Sequence, residues 1–118
     1  MQSSDEIYSD QNGLEVYARR DDDAPYVNGH LYDIKGISII HETLRFQQGT
    51  VKECGVNGLT NEAVLAILID RLLILDGQFP CDENKVALQH ISLALTALET
   101  RTKKRIAQGV EGTHVNHV

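Results

Sequence analysis

The period of apolar and polar positions changes near the middle of the chain. From Asp82 to Gln108, the stripe Leu88, Ile91, Leu95, Leu98, Thr102 and Ile106 advances by threes and fours. That spacing predicts one long helix with a single buried face. Asp82 is placed to cap its start, and Gly109 stands where a left-handed residue would end it. A second helix is predicted upstream in NEAVLAILIDRLLILD, with Thr60 or Asn61 as its cap and Glu62 in its first turn. GQFPCDEN between the two turns the chain back, giving an αα-hairpin. The earlier helix is apolar nearly all round, from Val64 and Leu65 to Ile74 and Leu75. Such a helix must be covered on every side, which one partner helix and a small sheet cannot do. Self-association, most simply as a symmetric dimer, is the expected remedy.

The first half reads differently. Asn12-Gly13 and Asn28-Gly29 each lie between β-favouring arms, and Asn-Gly there signals a tight hairpin of type I′. Residues 1–6 are polar and are expected to be loose. Pro25, after three aspartates, is expected at a strand edge. Gln48-Gly49 and Asn57-Gly58 mark two more turns. The fold class is therefore α+β: a small N-terminal antiparallel sheet of four or five strands over residues 1–58. A helical hairpin with a C-terminal segment follows over residues 59–118, and the two halves are expected to form one domain.

Composition narrows the functional classes. A net charge of −6 in 118 residues opposes broad binding to nucleic acid, whose phosphates would be repelled by most of the surface. The longest apolar run is broken by Asp70 and Arg71, so no membrane span is expected. Cys54 and Cys81, with no leader evident, suggest reduced thiols in a cytosol. The five histidines are scattered, and His114 and His117 sit in what reads as a disordered tail. Neither a nucleophile elbow, a phosphate loop nor a dinucleotide fingerprint is present. Catalysis, metal and cofactor have no visible seat.

Binding has one. Arg101, Lys103, Lys104 and Arg105 are four of the eleven basic residues and close the long helix. One reading is that they offset the negative end of the helix dipole. Yet Arg101 and Arg105 share a face, and paired guanidinium forks there suit phosphate oxygens. Phe79 and Asn84 bracket the inter-helix turn, and Asn84 lies about 25 Å from Arg101 along one helix. No nucleotide spans that gap within one copy. Antiparallel packing of two hairpins would bring the turn of one subunit to the basic end of the other. A composite pocket would result, with an aromatic and an amide for a base and two arginines for phosphates. Taken singly, Phe79 also reads as a turn anchor and Asn84 as an ordinary first-turn residue.

The stretches GVNG (Gly55–Gly58), CxxN (Cys81 to Asn84) and RTxxRxxxGVEGT (Arg101 to Thr113) carry a resemblance. Over about residues 44–114 the chain resembles the Thoeris anti-defence 1 family of phage immune-evasion sponges, which is related to the anti-CBASS 2 family. The resemblance implies a protein without enzymatic activity, acting in the cytoplasm of the infected bacterial host. It would hold a cyclic ADP-ribose isomer, made by TIR proteins, unaltered. It also implies a homodimer, with a hexamer of three dimers and capture of cyclic oligonucleotides as further family properties. Carried over, Asn84 and an aromatic near the turn contact the adenine part, and Arg101 and Arg105 the pyrophosphate. Thr113 belongs to the closing segment. The family pattern has an aromatic before the turn where this chain has Ile74-Leu75, so Leu75 takes that place. It also has a tryptophan where this chain has Ala97, and its turn is one residue longer. Two other readings stand beside this one: a sponge mainly for cyclic di- or trinucleotides, and an interaction protein whose basic helix end meets an acidic partner. A hydrolase of the cyclic signal is a third and lacks a nucleophile or metal set.

Overall fold

The computed structural model describes residues 2–36 and 41–108. It divides into two compact units, one ending at Leu59 and the other beginning at Thr60.

The first unit is a four-stranded antiparallel sheet in the order β1 (Gln2–Ser9), β2 (Glu15–Asp21), β3 (Leu31–Lys35), β4 (His41–Arg45). Residues 2–6, expected to be loose, are strand instead. Their polar side chains carry no period-2 signal, but pairing with β2 supplies the missing drive, from Gln2 opposite Asp21 to Glu6 opposite Tyr17. A bulge at Ile7 shifts the register before Tyr8 meets Val16.

The first two turns form, but not as type I′. Gly13 has φ of 84°, while no described residue other than glycine has positive φ. Gly13 N–H donates to Asp10 O, and Asp10 N–H to Leu14 O. This is a three-residue loop, a type I turn followed by a left-handed glycine. The Asp10 carboxylate accepts from the N–H groups of both Asn12 and Leu14, which favours this form over I′. At the second site Asn28 is extended (φ −63°, ψ 134°) and Gly29 has φ of 86°, with His30 N–H donating to Val27 O. Those angles define a type II turn. Pro25 opens a short 3₁₀ turn, Pro25–Val27, and does not lie at a strand edge. Its fixed φ and missing N–H suit that first position.

Alternation sorts the sheet into two faces. One carries Val16, Ala18, Tyr32, Ile34 and Leu44, and Ala18 at its centre is fully buried. Tyr32 meets the Phe46 ring edge-on, centroids 5.8 Å apart. The opposite face is a charged ladder. Arg19 donates from Nε and Nη2 to the two carboxylate oxygens of Asp33, each at 2.8 Å, and Thr43 Oγ1 donates to the same carboxylate. These bonds hold the Asp33 carboxyl well below its usual range. Lys35 Nζ lies 4.8 Å from the Tyr17 ring centre. Glu6 and Glu15 face one another there, and the hydrogen bond they share, then burial and mutual repulsion, raises the Glu6 pKa.

After β4 a loop and the one-turn helix α1 (Val51–Cys54), unforeseen in the sequence, lead to Leu59. Gln47 Nε2 donates to the carbonyls of Gly49 and Gly55, and Asn57 exchanges bonds with the Gln48 backbone. Gly58 is needed for closeness: a Cβ there would lie 2.5 Å from the Phe46 carbonyl carbon.

The second unit is the helical hairpin α2 (Asn61–Gln78) and α3 (Asp82–Ala107). Thr60 is the α2 cap, its Oγ1 accepting from Ala63 N–H at 3.1 Å. The α3 cap is Cys81, whose Sγ accepts from Asn84 N–H, so Asp82 is the first helical residue and not the cap. Gly109 lies outside the described residues. Leu88, Ile91, Leu95, Leu98 and Thr102 are all half-buried, as the stripe requires. Its last member is Arg105, not Ile106: Arg105 is 7% exposed and Ile106 is 59% exposed. Thr102 Oγ1 donates to Glu62 Oε2 at 3.4 Å, joining the open end of the hairpin. Ile67, Leu73, Ile74, Val86 and Leu93 remain exposed in the single chain.

Candidate functional site

The inter-helix turn is built so that its backbone donors are answered. Phe79 N–H closes α2 by donating to Leu75 O at 2.8 Å. Pro80 has no donor. Cys81 N–H donates to Asp76 Oδ1 at 3.0 Å, and Lys85 Nζ reaches both oxygens of that carboxylate at 3.3 and 3.1 Å. The Cys81 N–H first, and the Lys85 ammonium second, hold the Asp76 carboxyl below its ordinary range. On this tied turn the Phe79 ring is 75% exposed. Asn84 is half-buried in the first turn of α3, and Leu75 is half-buried in the last turn of α2. The structure therefore brings Leu75, Phe79 and Asn84 to one end of the hairpin.

Arg101 and Arg105 lie toward the other end, separated from Asn84 by about 25–30 Å of helix at 1.5 Å per residue. They are not equivalent. Arg101 is exposed, whereas Arg105 is buried as a continuation of the packed stripe. Thr113 lies outside the described residues.

Beside this basic end is an open cavity of about 240 Å³ lined by Glu62, Glu99, Thr102 and Lys103. In the sequence Thr102 reads as a member of the packed stripe and Glu62 as a first-turn residue, and only helix pairing brings the two together. Its two carboxylates make it a poorer seat for phosphate than the arginines alongside. Another open cavity, about 280 Å³, lies on the sheet against Gln2, Ser3, Ser4 and Arg19. Cys54 and Cys81 are free, exposed thiols. Among the described residues, no three His, Cys, Asp or Glu side chains gather as a metal set, and no helix is long and apolar enough to cross a membrane.

A paired-helix unit with an anchored aromatic turn at one end and a basic cluster at the other is a helical-hairpin domain. Residues 39–102 match the family model described as "Acb2/Tad1, hairpin domain", and the chain belongs to that family. It is also similar to a protein of Bacillus phage SBSphiJ7 named Thoeris anti-defense 1, at 44% identity over 73 residues. That match takes in 61% of this chain and 51% of the relative, so the chain spans about half the length of the curated relative it matches.

Proposed function

We propose that this chain is a phage immune-evasion protein that blocks Thoeris signalling by sequestering cyclic ADP-ribose isomers made by TIR proteins. The observation that carries the reading is the polarity of the hairpin. An exposed Phe79 and the Asn84 amide stand on a tied turn, while Arg101 and Arg105 stand one helix-length away. Two antiparallel copies place the turn of one against the arginines of the other. Exposed Ile67, Leu73 and Ile74 on α2 provide apolar surface for that association. The similarity to a protein named Thoeris anti-defense 1 supports the same assignment.

In this reading Phe79 stacks on the adenine, with Leu75 as a flat apolar floor and Asn84 addressing the base edge. Arg101 and Arg105 grip the pyrophosphate through charge-assisted bonds. Thr113 is carried over from the family resemblance as a further ligand contact. In this reading the ligand is held and later released unchanged. The protein acts in the cytoplasm of the infected host as a dimer, which further assembly into three dimers would accommodate.

Calorimetry with a TIR-derived cyclic ADP-ribose, then heat denaturation and chromatography of the released ligand, tests this directly. Tight binding with the ligand recovered intact is expected. Recovery of a linear product would overturn sequestration in favour of hydrolysis. Silence with this ligand but heat with a cyclic trinucleotide would move the assignment to cyclic oligonucleotides.

A further inference from the structure

We infer that Asp76 is a positioning residue for the ligand, fixing the turn that presents Phe79 and Asn84. The inference rests on the reading of that turn as the base-contacting side of the pocket.

The Phe79 ring is 75% exposed, so packing does little to hold it in place. Its direction must come from the backbone on either side. On the α2 side Phe79 N–H is tied to Leu75 O. On the α3 side Pro80 contributes a fixed φ and no donor. The next donor, Cys81 N–H, is taken by Asp76 Oδ1 from across the turn. Asp76 thus closes a loop from the last turn of α2 to the residue that caps α3. Cys81 in turn passes the constraint on, since its Sγ accepts from Asn84 N–H at 3.4 Å. The Lys85 ammonium steadies the Asp76 carboxylate, and the Asn84 amide adds a smaller stabilisation of the same group. One carboxylate therefore sets the aromatic and the amide together, before any ligand arrives. Such preorganisation raises affinity by removing ordering costs from the binding step.

The test uses the full chain and the cyclic ADP-ribose isomer that the wild type binds. Asp76→Ala is expected to weaken binding about tenfold and to speed hydrogen exchange at the Cys81 amide in the unliganded protein. Asp76→Asn keeps an oxygen for the Cys81 N–H and should recover most of the affinity. In an Asn84→Ala, Phe79→Ala background, Asp76→Ala should cost little more, because the groups it positions are gone. Wild-type affinity in Asp76→Ala would overturn the inference. So would an equal loss in both backgrounds, which would mark Asp76 as a general stabiliser of the hairpin. If Asp76→Ala does not fold, Asp76→Asn carries the test, through Cys81 exchange and affinity, and loss of both despite the retained oxygen would overturn it. A wild type that binds no cyclic ADP-ribose would instead overturn the sequestration reading, and this assignment with it.

Discussion

Asn84 and Arg105 occupy opposite ends of one packed stripe on α3, about 30 Å apart by the helical rise. Both are polar residues at positions where the stripe is otherwise apolar between Ala87 and Leu98. A packed seam that begins in an amide and ends in a guanidinium places recognition chemistry where the two helices stop covering each other. It also separates the roles of the two arginines.

Arg101→Ala should weaken ligand binding by about 2 kcal/mol, the worth of a charge-assisted hydrogen bond, with little change in melting temperature. Arg105→Ala should lose binding and also lower stability by about 1 kcal/mol or more, since a buried side chain is removed. Calorimetry beside thermal melts of the two single variants reads both effects. Equal melting temperatures would show that the burial of Arg105 contributes nothing to the fold.

Phe79→Ala removes an exposed ring, so its stability should stay within about 0.5 kcal/mol of wild type. Ligand affinity should fall by about 1–3 kcal/mol, the usual worth of one base stacked on an aromatic ring. Titration of the variant at fixed salt checks this. A stability loss without an affinity loss would make Phe79 a turn anchor only.

Gly58→Ala should destabilise the sheet unit by about 2 kcal/mol, in the range for forced overpacking. Its new Cβ would meet the backbone of Phe46 and the Gln47 nitrogen, 2.5 to 2.7 Å away, and backbone cannot swing aside as a side-chain tip can. Chemical denaturation followed by circular dichroism provides the measurement.

The charged face of the sheet gives a two-part pH response. Asp33 has a folded pKa below its unfolded one, so its contribution is complete above the ordinary carboxylate range and is lost as pH falls through the folded value. With Arg19 more exposed than Asp33, at 39% against 13%, that pair is worth about 1 kcal/mol after screening. Glu6 behaves oppositely. Its folded pKa is raised, first by the hydrogen bond it shares with Glu15 and then by burial and repulsion, so the fold favours the protonated form and gains stability as pH falls through the raised value. Melting temperature should therefore rise slightly on mild acidification and then drop below about pH 4. Glu6→Gln should remove the rise and lift the neutral-pH value. Arg19→Ala should flatten the acid-side drop.

Much of the hairpin was legible because local rules and tertiary contacts agree there. The three-four spacing of Leu88, Ile91, Leu95 and Leu98 located the packed face, and Thr60 located a helix start. Four short antiparallel strands were readable in kind from turn residues and β-favouring arms. Phe79, Asn84 and the two arginines could be picked out as candidate contacts because their chemistry stands out from the stripe. The step from those residues to one pocket is not written in a single chain, since about 25 Å of helix divides them.

Tertiary structure decided most of the rest. β1 is strand because β2 offers it a hydrogen-bonding edge, although its own residues are polar. Asn12-Gly13 takes a three-residue loop because the Asp10 side chain collects two backbone N–H groups, a competition that the dipeptide alone does not reveal. Ile106 looked like the natural end of the stripe by hydrophobicity, yet Arg105 is buried there and Ile106 is exposed. Spacing by three or four leaves two neighbouring positions open at each step, and hydrophobicity chooses between them only while an apolar neighbour waits across the seam. Local sequence carried the helical period, the Thr60 cap and the chemistry on offer, but not the α3 cap, which is Cys81 and not Asp82. The Asn12-Gly13 turn type is settled locally by Asp10, whereas strand pairing depends on groups far apart in the chain, and only their meeting in space selects among locally equal alternatives.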